Sequence, residues 1–189
     1  SRLDMVNASR NNYDIMLKNL AFQWELDSVA SRAIAPLFAP FVTNSELWAW
    51  YMKCSEMEVT HALTYSEIIR QCLSDPQEAI AEAMLNEEMV KRAVTVIEAF
   101  TELETVGAKL TLGLLDKTSL QVRDAVLMGV VALYALERIE FMSSFAATFA
   151  MGEQGIFQGM CKLISKIATD EQCHYSAGEE VLRIRYEED

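Results

Sequence analysis

The sequence predicts an all-α fold, an antiparallel bundle of long helices joined by short turns. Three observations predict it. Apolar residues recur at three- and four-residue spacing over stretches far longer than a strand, as in Leu47, Trp50, Cys54, Met57, Ile68 and Cys72. No stretch alternates apolar and polar residues with the period of two that a half-buried strand requires. The two halves of the chain also share one pattern: a helical stripe interrupted by Glu-x-x-His, at Glu58–His61 and again at Glu171–His174.

In chain order, Tyr13, Met16, Leu17, Leu20, Trp24, Asp27 and Ile34 share one face, and the spacing predicts a helix over 12–35 that Pro36 and Pro40 end. Asn44 or Thr43 caps a second helix over 45–73. Ser74-Asp75-Pro76 is a turn into a short helix at 77–84. A long helix follows over 87–115, with Val90, Val94, Ile97 and Leu103 as its stripe. Asp116-Lys117-Thr118-Ser119 breaks the chain, and Thr118 or Ser119 caps a helix over 120–151. Gly152 and Gly155 make the last turn before a helix over 156–186.

Composition narrows the functions open to this chain. Its 189 residues suffice for one domain, 1–189, with a sizeable core. Apolar residues make up 51%, with only 7 Gly and 3 Pro, a globular profile. A net charge of −12 argues against nucleic acid or an anionic membrane surface as partner. The apolar run near 125–136 is flanked by Arg123, Asp124, Glu137 and Arg138 and is too short to span a bilayer. Cys54, Cys72, Cys161 and Cys173 show no CxxC or zinc spacing and read as reduced core thiols, which points to the cytoplasm. Trp24, Trp48, Trp50, Phe149 and Phe157 read as core packing.

The chemistry lies in the repeated pattern. Glu and His three apart share a helix face about one turn from each other. The chain has only two histidines, and both carry this Glu. Each motif helix is preceded by a helix with one carboxylate in an apolar face: Asp27 is 31 residues before Glu58, and Glu137 is 34 before Glu171. Burying four carboxylates without partners is very costly, and together they could not all stay ionised. Two divalent cations cancel their charge. Oxygen donors with one imidazole per metal suit iron or manganese better than zinc or calcium. The expected fold is therefore a ferritin-like bundle with a di-metal carboxylate site in a four-helix core.

These residues resemble the small, radical-generating beta subunit of class I ribonucleotide reductase. The resemblance covers about Leu20 to Leu182 and rests on Leu26-Asp27-Ser28, on Ser55 to Arg70, on Ala135-Leu136-Glu137 with Phe141 and Ser144-Phe145, and on Ile167 to Glu171 with His174. It implies that Asp27, Glu58 and His61 bind one metal and Glu137, Glu171 and His174 the other, with Glu58 and Glu137 able to bridge. It implies a stable radical on Tyr65, in an apolar pocket of Phe141, Phe145 and Ile167. It places Asp170 beside His61 as the carboxylate that orients a ligand imidazole. The implied cofactors are two metal ions per chain, iron or manganese, charged by an oxygen-derived oxidant. The implied partners are a large catalytic subunit, where deoxyribonucleotides for DNA replication are made, and a second copy in a homodimer. Compared with the family the sequence reads as a short or truncated member. It shows no N-terminal segment with a relay Trp and no C-terminal docking tail, and the stretch from Glu58 to Glu137 is shorter than usual. The competing reading is a ferritin-like di-metal oxidase or oxygenase that acts on its own small substrate, which would need a cavity beside the metals.

Overall fold

A computed structural model describes residues 2–85 and 87–188, and the side chains of all of these except 82–84, 88–90, 92 and 188. The described residues form helices α1 (Arg2–Asn7), α2 (Arg10–Phe38), α3 (Ser45–Cys72), α4 (Pro76–Met84), α5 (Glu87–Thr111), α6 (Leu120–Ala135), α7 (Met142–Glu153) and α8 (Gln158–Glu188), with a π-helical turn at Leu136–Phe141 joining α6 to α7. No strand occurs among them, and none of these helices is long and apolar enough to cross a membrane.

Side-chain caps fix the helix starts. Asn44 Oδ1 accepts from Leu47 N at 2.8 Å, Asp75 Oδ1 from Glu78 N at 3.0 Å and Ser119 Oγ from Val122 N at 3.4 Å. Each satisfies a backbone donor that the first turn of a helix leaves unpaired. The α8 helix begins at Gln158 rather than 156. Phe157, just before it, has φ of 57° and Gly155 has φ of 81°, so the chain makes a left-handed turn there before helix can start.

Two departures come from tertiary context. The α2 helix runs through Pro36 to Phe38, and Pro40 lies beyond its end. Ser55 Oγ on α3 accepts the Ala35 N–H at 3.0 Å, so the donor next to the proline is satisfied from outside the helix. On α5 the inward face carries Ala93, Val96, Phe100, Leu103 and Val106, whereas Val94 and Ile97 are 40% and 52% exposed. The Val90 side chain lies outside the described residues. This helix is apolar on two faces, and packing on α6 selects one: Gly129 of α6 leaves the space that Leu103 fills. Trp48 is exposed as well. Of the four free thiols, Cys54 is buried, Cys72 and Cys161 are half-buried and Cys173 is exposed.

Helix α2 packs along α3, and α8 packs on α3, α6, α7 and the π-turn, which closes a four-helix core. Its interior is layered. One apolar cluster holds Met16, Leu20, Tyr65, Phe141, Phe145, Ile164 and Ile167. A second holds Ala30, Ile34, Phe38, Tyr51, Cys54 and Val130. Along each core helix the polar side chains Asp27, Glu58, His61, Glu137, Glu171 and His174 fall between the two clusters.

Candidate metal centre

All six of these side chains are buried, none more than 3% exposed as a residue. Helix α3 contributes Glu58 and His61, α8 contributes Glu171 and His174, α2 contributes Asp27, and the π-turn contributes Glu137. The turn lies within a stretch whose periodicity predicts plain α-helix. A π-turn inserts a residue without ending the helix, and such turns are frequent at functional sites.

The six form two overlapping clusters. One comprises Asp27, Glu58, His61 and Glu171, the other Glu58, Glu137, Glu171 and His174, with donor atoms within 4.8 Å of one another in each. The His61 Nδ1 is 3.2 Å from Glu58, 3.2 Å from Glu171 and 3.7 Å from Asp27. The His174 Nδ1 is 3.1 Å from Glu58, 3.1 Å from Glu171 and 3.5 Å from Glu137. The carboxylates common to both clusters are thus Glu58 and Glu171. Glu137, which the resemblance casts as able to bridge, belongs to one cluster only. Glu58 and Glu171 each face both imidazoles, with one oxygen toward each ring.

The electrostatics are those of a cation site. Burial, with Glu58 and Glu171 adding to it, pushes the Asp27 carboxyl well above its ordinary pKa. Burial likewise pushes Glu137 up to about 8, against the pull of a hydrogen bond from His174. Burial would raise Glu58 too, but hydrogen bonds from His174 and His61 hold it below the ordinary value. Burial would lower His61, yet hydrogen bonds to Glu171 and Glu58 carry it to about 10. Burial would lower His174 as well; the Cys54 side chain and the three neighbouring glutamates hold it far above the usual range. In the metal-free chain, protons held by Asp27, Glu137 and both imidazoles thus take the place of cationic charge. Both Asp27 oxygens are also buried without a hydrogen-bond donor among the described residues. Two divalent cations on deprotonated imidazoles balance the set, and oxygen-rich donors with one nitrogen each fit such ions.

The remaining predicted residues fall around the clusters. Asp170 Oδ2 is 3.1 Å from His61 Nε2, and its side chain is 43% exposed, so it links the site to the surface. Tyr65 is fully buried. Its hydroxyl meets no hydrogen-bond partner among the described residues, which excludes a bond to Asp27 there. Burial, then the charges of Asp27, Glu171 and Glu58, hold its pKa well above 10. Phe141, Phe145 and Ile167 share its apolar cluster, with the two Phe rings stacked at 5.9 Å. Sequence reasoning missed Phe22, whose ring is 6.3 Å from that of Phe141, and Gln23, whose Nε2 donates to Ser144 Oγ at 2.7 Å in the buried interior. For Gln23 the signal was present: it is a polar residue four before Asp27 in a buried helix.

The raised carboxyl groups yield a prediction for metal-free protein. A carboxyl whose folded pKa is raised favours the fold while protonated and loses that benefit as pH rises. For Glu137 the loss runs from about 4.5 to about 8. Glu137→Gln, which cannot ionise, is expected to stabilise the metal-free chain by on the order of 2 kcal/mol at pH 8 and by little at pH 4.5. Urea unfolding at the two pH values checks this, and an equal effect at both would contradict it.

A helical bundle with no strand among its described residues, and with buried carboxylate–imidazole clusters that fit a pair of metal ions, defines the class, a ferritin-like fold. Comparison with known sequences narrows it. The family "Ribonucleotide reductase, small chain" matches residues 5–189, and the chain belongs to that family. It is 28% identical over 195 residues to the ribonucleoside-diphosphate reductase subunit beta of Haemophilus influenzae, covering 97% of this chain and 51% of the relative. It is 28% identical over 193 residues to the ribonucleoside-diphosphate reductase 1 subunit beta of Escherichia coli O157:H7, covering 97% of this chain and 51% of the relative. The subunit beta of Enterobacteria phage T4 is 28% identical over 189 residues, covering 90% and 49%. The chain spans about half the length of the curated relatives it matches.

Proposed function

We propose that this chain is the radical-generating small subunit of a ribonucleoside-diphosphate reductase, an oxidoreductase that supplies deoxyribonucleotides. The observation that carries the reading is the convergence of six buried ligand side chains into two clusters, with the buried hydroxyl of Tyr65 one helical turn from His61. Asp27, Glu58, His61 and Glu171 would hold one metal, and Glu58, Glu137, Glu171 and His174 the other. A bound pair of iron or manganese ions, charged by dioxygen or a related oxidant, would supply a one-electron oxidising equivalent. Tyr65 would give one electron to that oxidised pair and its phenolic proton to the neighbouring carboxylates, Asp27 foremost, and become the stored radical. Its apolar neighbours Phe141, Phe145 and Ile167 keep water and reductants from the ring. His61 and Asp170 form the polar path from the site to the surface, toward the large catalytic subunit that reduces the nucleotide.

Cavity shape favours this reading over a free-standing oxidase. The chamber touching Glu137 and His174 holds only about 20 Å³, too little for an organic substrate. A groove of about 900 Å³ lies at the junction of α2, α3 and α4, along Trp24, Ile69, Arg70 and Ile80, and touches none of the six ligands. The deciding measurement is metal content combined with electron paramagnetic resonance of protein loaded with iron and, separately, with manganese.

A homodimer is part of the proposal. Met52, Val59 and Leu63 line the outer face of α3 at helical spacing and are 49%, 47% and 66% exposed, an apolar stripe that a second copy would cover. Sedimentation at micromolar concentration is expected to give a dimer, and Leu63→Glu a monomer. A wild-type chain that sediments only as a monomer would count against it.

A further inference from the structure

The two imidazoles of the site are held differently. Both turn Nδ1 toward the carboxylates. On the far side of the ring, His61 Nε2 meets Asp170 Oδ2 at 3.1 Å. His174 Nε2 is buried and meets no hydrogen-bond partner among the described residues. Around that ring stand the edge of Trp50, with centroids 6.1 Å apart and planes at 84°, and the closed chamber of about 20 Å³. The chamber is also lined by Tyr51, Cys54, Glu137 and Gly178, and its volume admits one water molecule. Cys54 lies one turn before Glu58 on α3, and its side chain lines the same chamber as the His174 ring.

A carboxylate behind a ligand imidazole fixes its orientation and raises its basicity, and loss of such a partner costs about 10–100-fold in metal affinity. A thiol is a weak donor and a weak acceptor. We infer that Cys54, with the one-water chamber beside it, is the positioning residue for His174, and that the metal beside His174 is held more loosely than the one beside His61. The inference rests on the metal-centre reading, and it makes the two ends of a near-symmetric site unequal.

The test uses the full chain with ¹⁵N-labelled histidine, titrated with zinc, which leaves the spectrum free of paramagnetic broadening. The two imidazoles are the only ones in the chain, and His61→Ala and His174→Ala assign their signals. The His61 signal is expected to saturate at about tenfold lower free zinc than that of His174. Asp170→Asn should remove that gap by weakening the His61 end alone. Cys54→Ala should weaken the His174 end by about a further tenfold and leave His61 unmoved. Cys54→Ser, with a hydroxyl in place of the thiol, should stay within about threefold of wild type. If Cys54 only packs, Cys54→Ala lowers the melting temperature of the metal-free chain without moving the His174 midpoint, and the inference falls. Equal midpoints in the wild type also overturn it. Zinc that shifts neither imidazole overturns the metal-centre reading itself.

Discussion

Oxidising the metal-loaded chain is expected to produce a tyrosyl radical signal, and Tyr65→Phe is expected to abolish it while metal content stays the same. The substitution removes one oxygen from a fully buried ring. That oxygen has no hydrogen-bond partner among the described residues, so no polar group is orphaned and the fold should be unharmed. The separation of signal from metal content is what gives the experiment force, because a general loss of structure would take both. A signal that survives in Tyr65→Phe places the radical on another residue. No signal with either metal and any oxidant favours the oxidase reading, or an oxidising equivalent that stays on the metals.

Metal binding itself should have a large effect on stability. Two ions per chain are expected, and ions that bind only the folded state raise its stability by mass action, about 2.7 kcal/mol for each site at a hundredfold excess over Kd. For a domain of this size that is about 5–10 °C in Tm per site. His61→Ala and His174→Ala should each lower the affinity of one site and forfeit its share of the gain, because each removes the one imidazole of its cluster. Metal analysis with thermal melts checks both numbers. One ion in the wild type, or two held as tightly in the double variant, refutes the assignment.

Much of this site is legible in the amino-acid sequence, because a carboxylate in an apolar helical stripe demands an explanation. Asp27 and Glu137 stand out against neighbours such as Ile34 and Phe141, and the Glu-x-x-His spacing dictates a shared face. Helix starts are legible for a similar reason: Asn44 and Ser119 carry the oxygen that a first turn needs. What stays hidden depends on partners distant in sequence. Nothing near Pro36 announces that Ser55, twenty residues beyond Ala35, accepts the backbone donor beside it. The inward face of α5 is ambiguous until Gly129 meets Leu103. Which glutamate is shared between the clusters is decided by how α8 lies between α3 and the π-turn. No spacing within α8 carries that information.

The π-turn at Leu136–Phe141 divides what this helix needs from what the site needs. In ordinary helix each backbone N–H reaches back four residues; here it reaches back five, so one residue is surplus to the ladder. Removing one of the three residues between Glu137 and Phe141 would restore the common ladder and leave α6 and α7 as one regular rod. The same deletion would shift Glu137 against Phe141 by one position and break the registration between a ligand and the wall around Tyr65. Insertions and deletions are usually tolerated in loops and punished in helices. Here the helix would accept the shorter frame and the site would not, so the length of this segment matters to the chemistry alongside the carboxylate of Glu137.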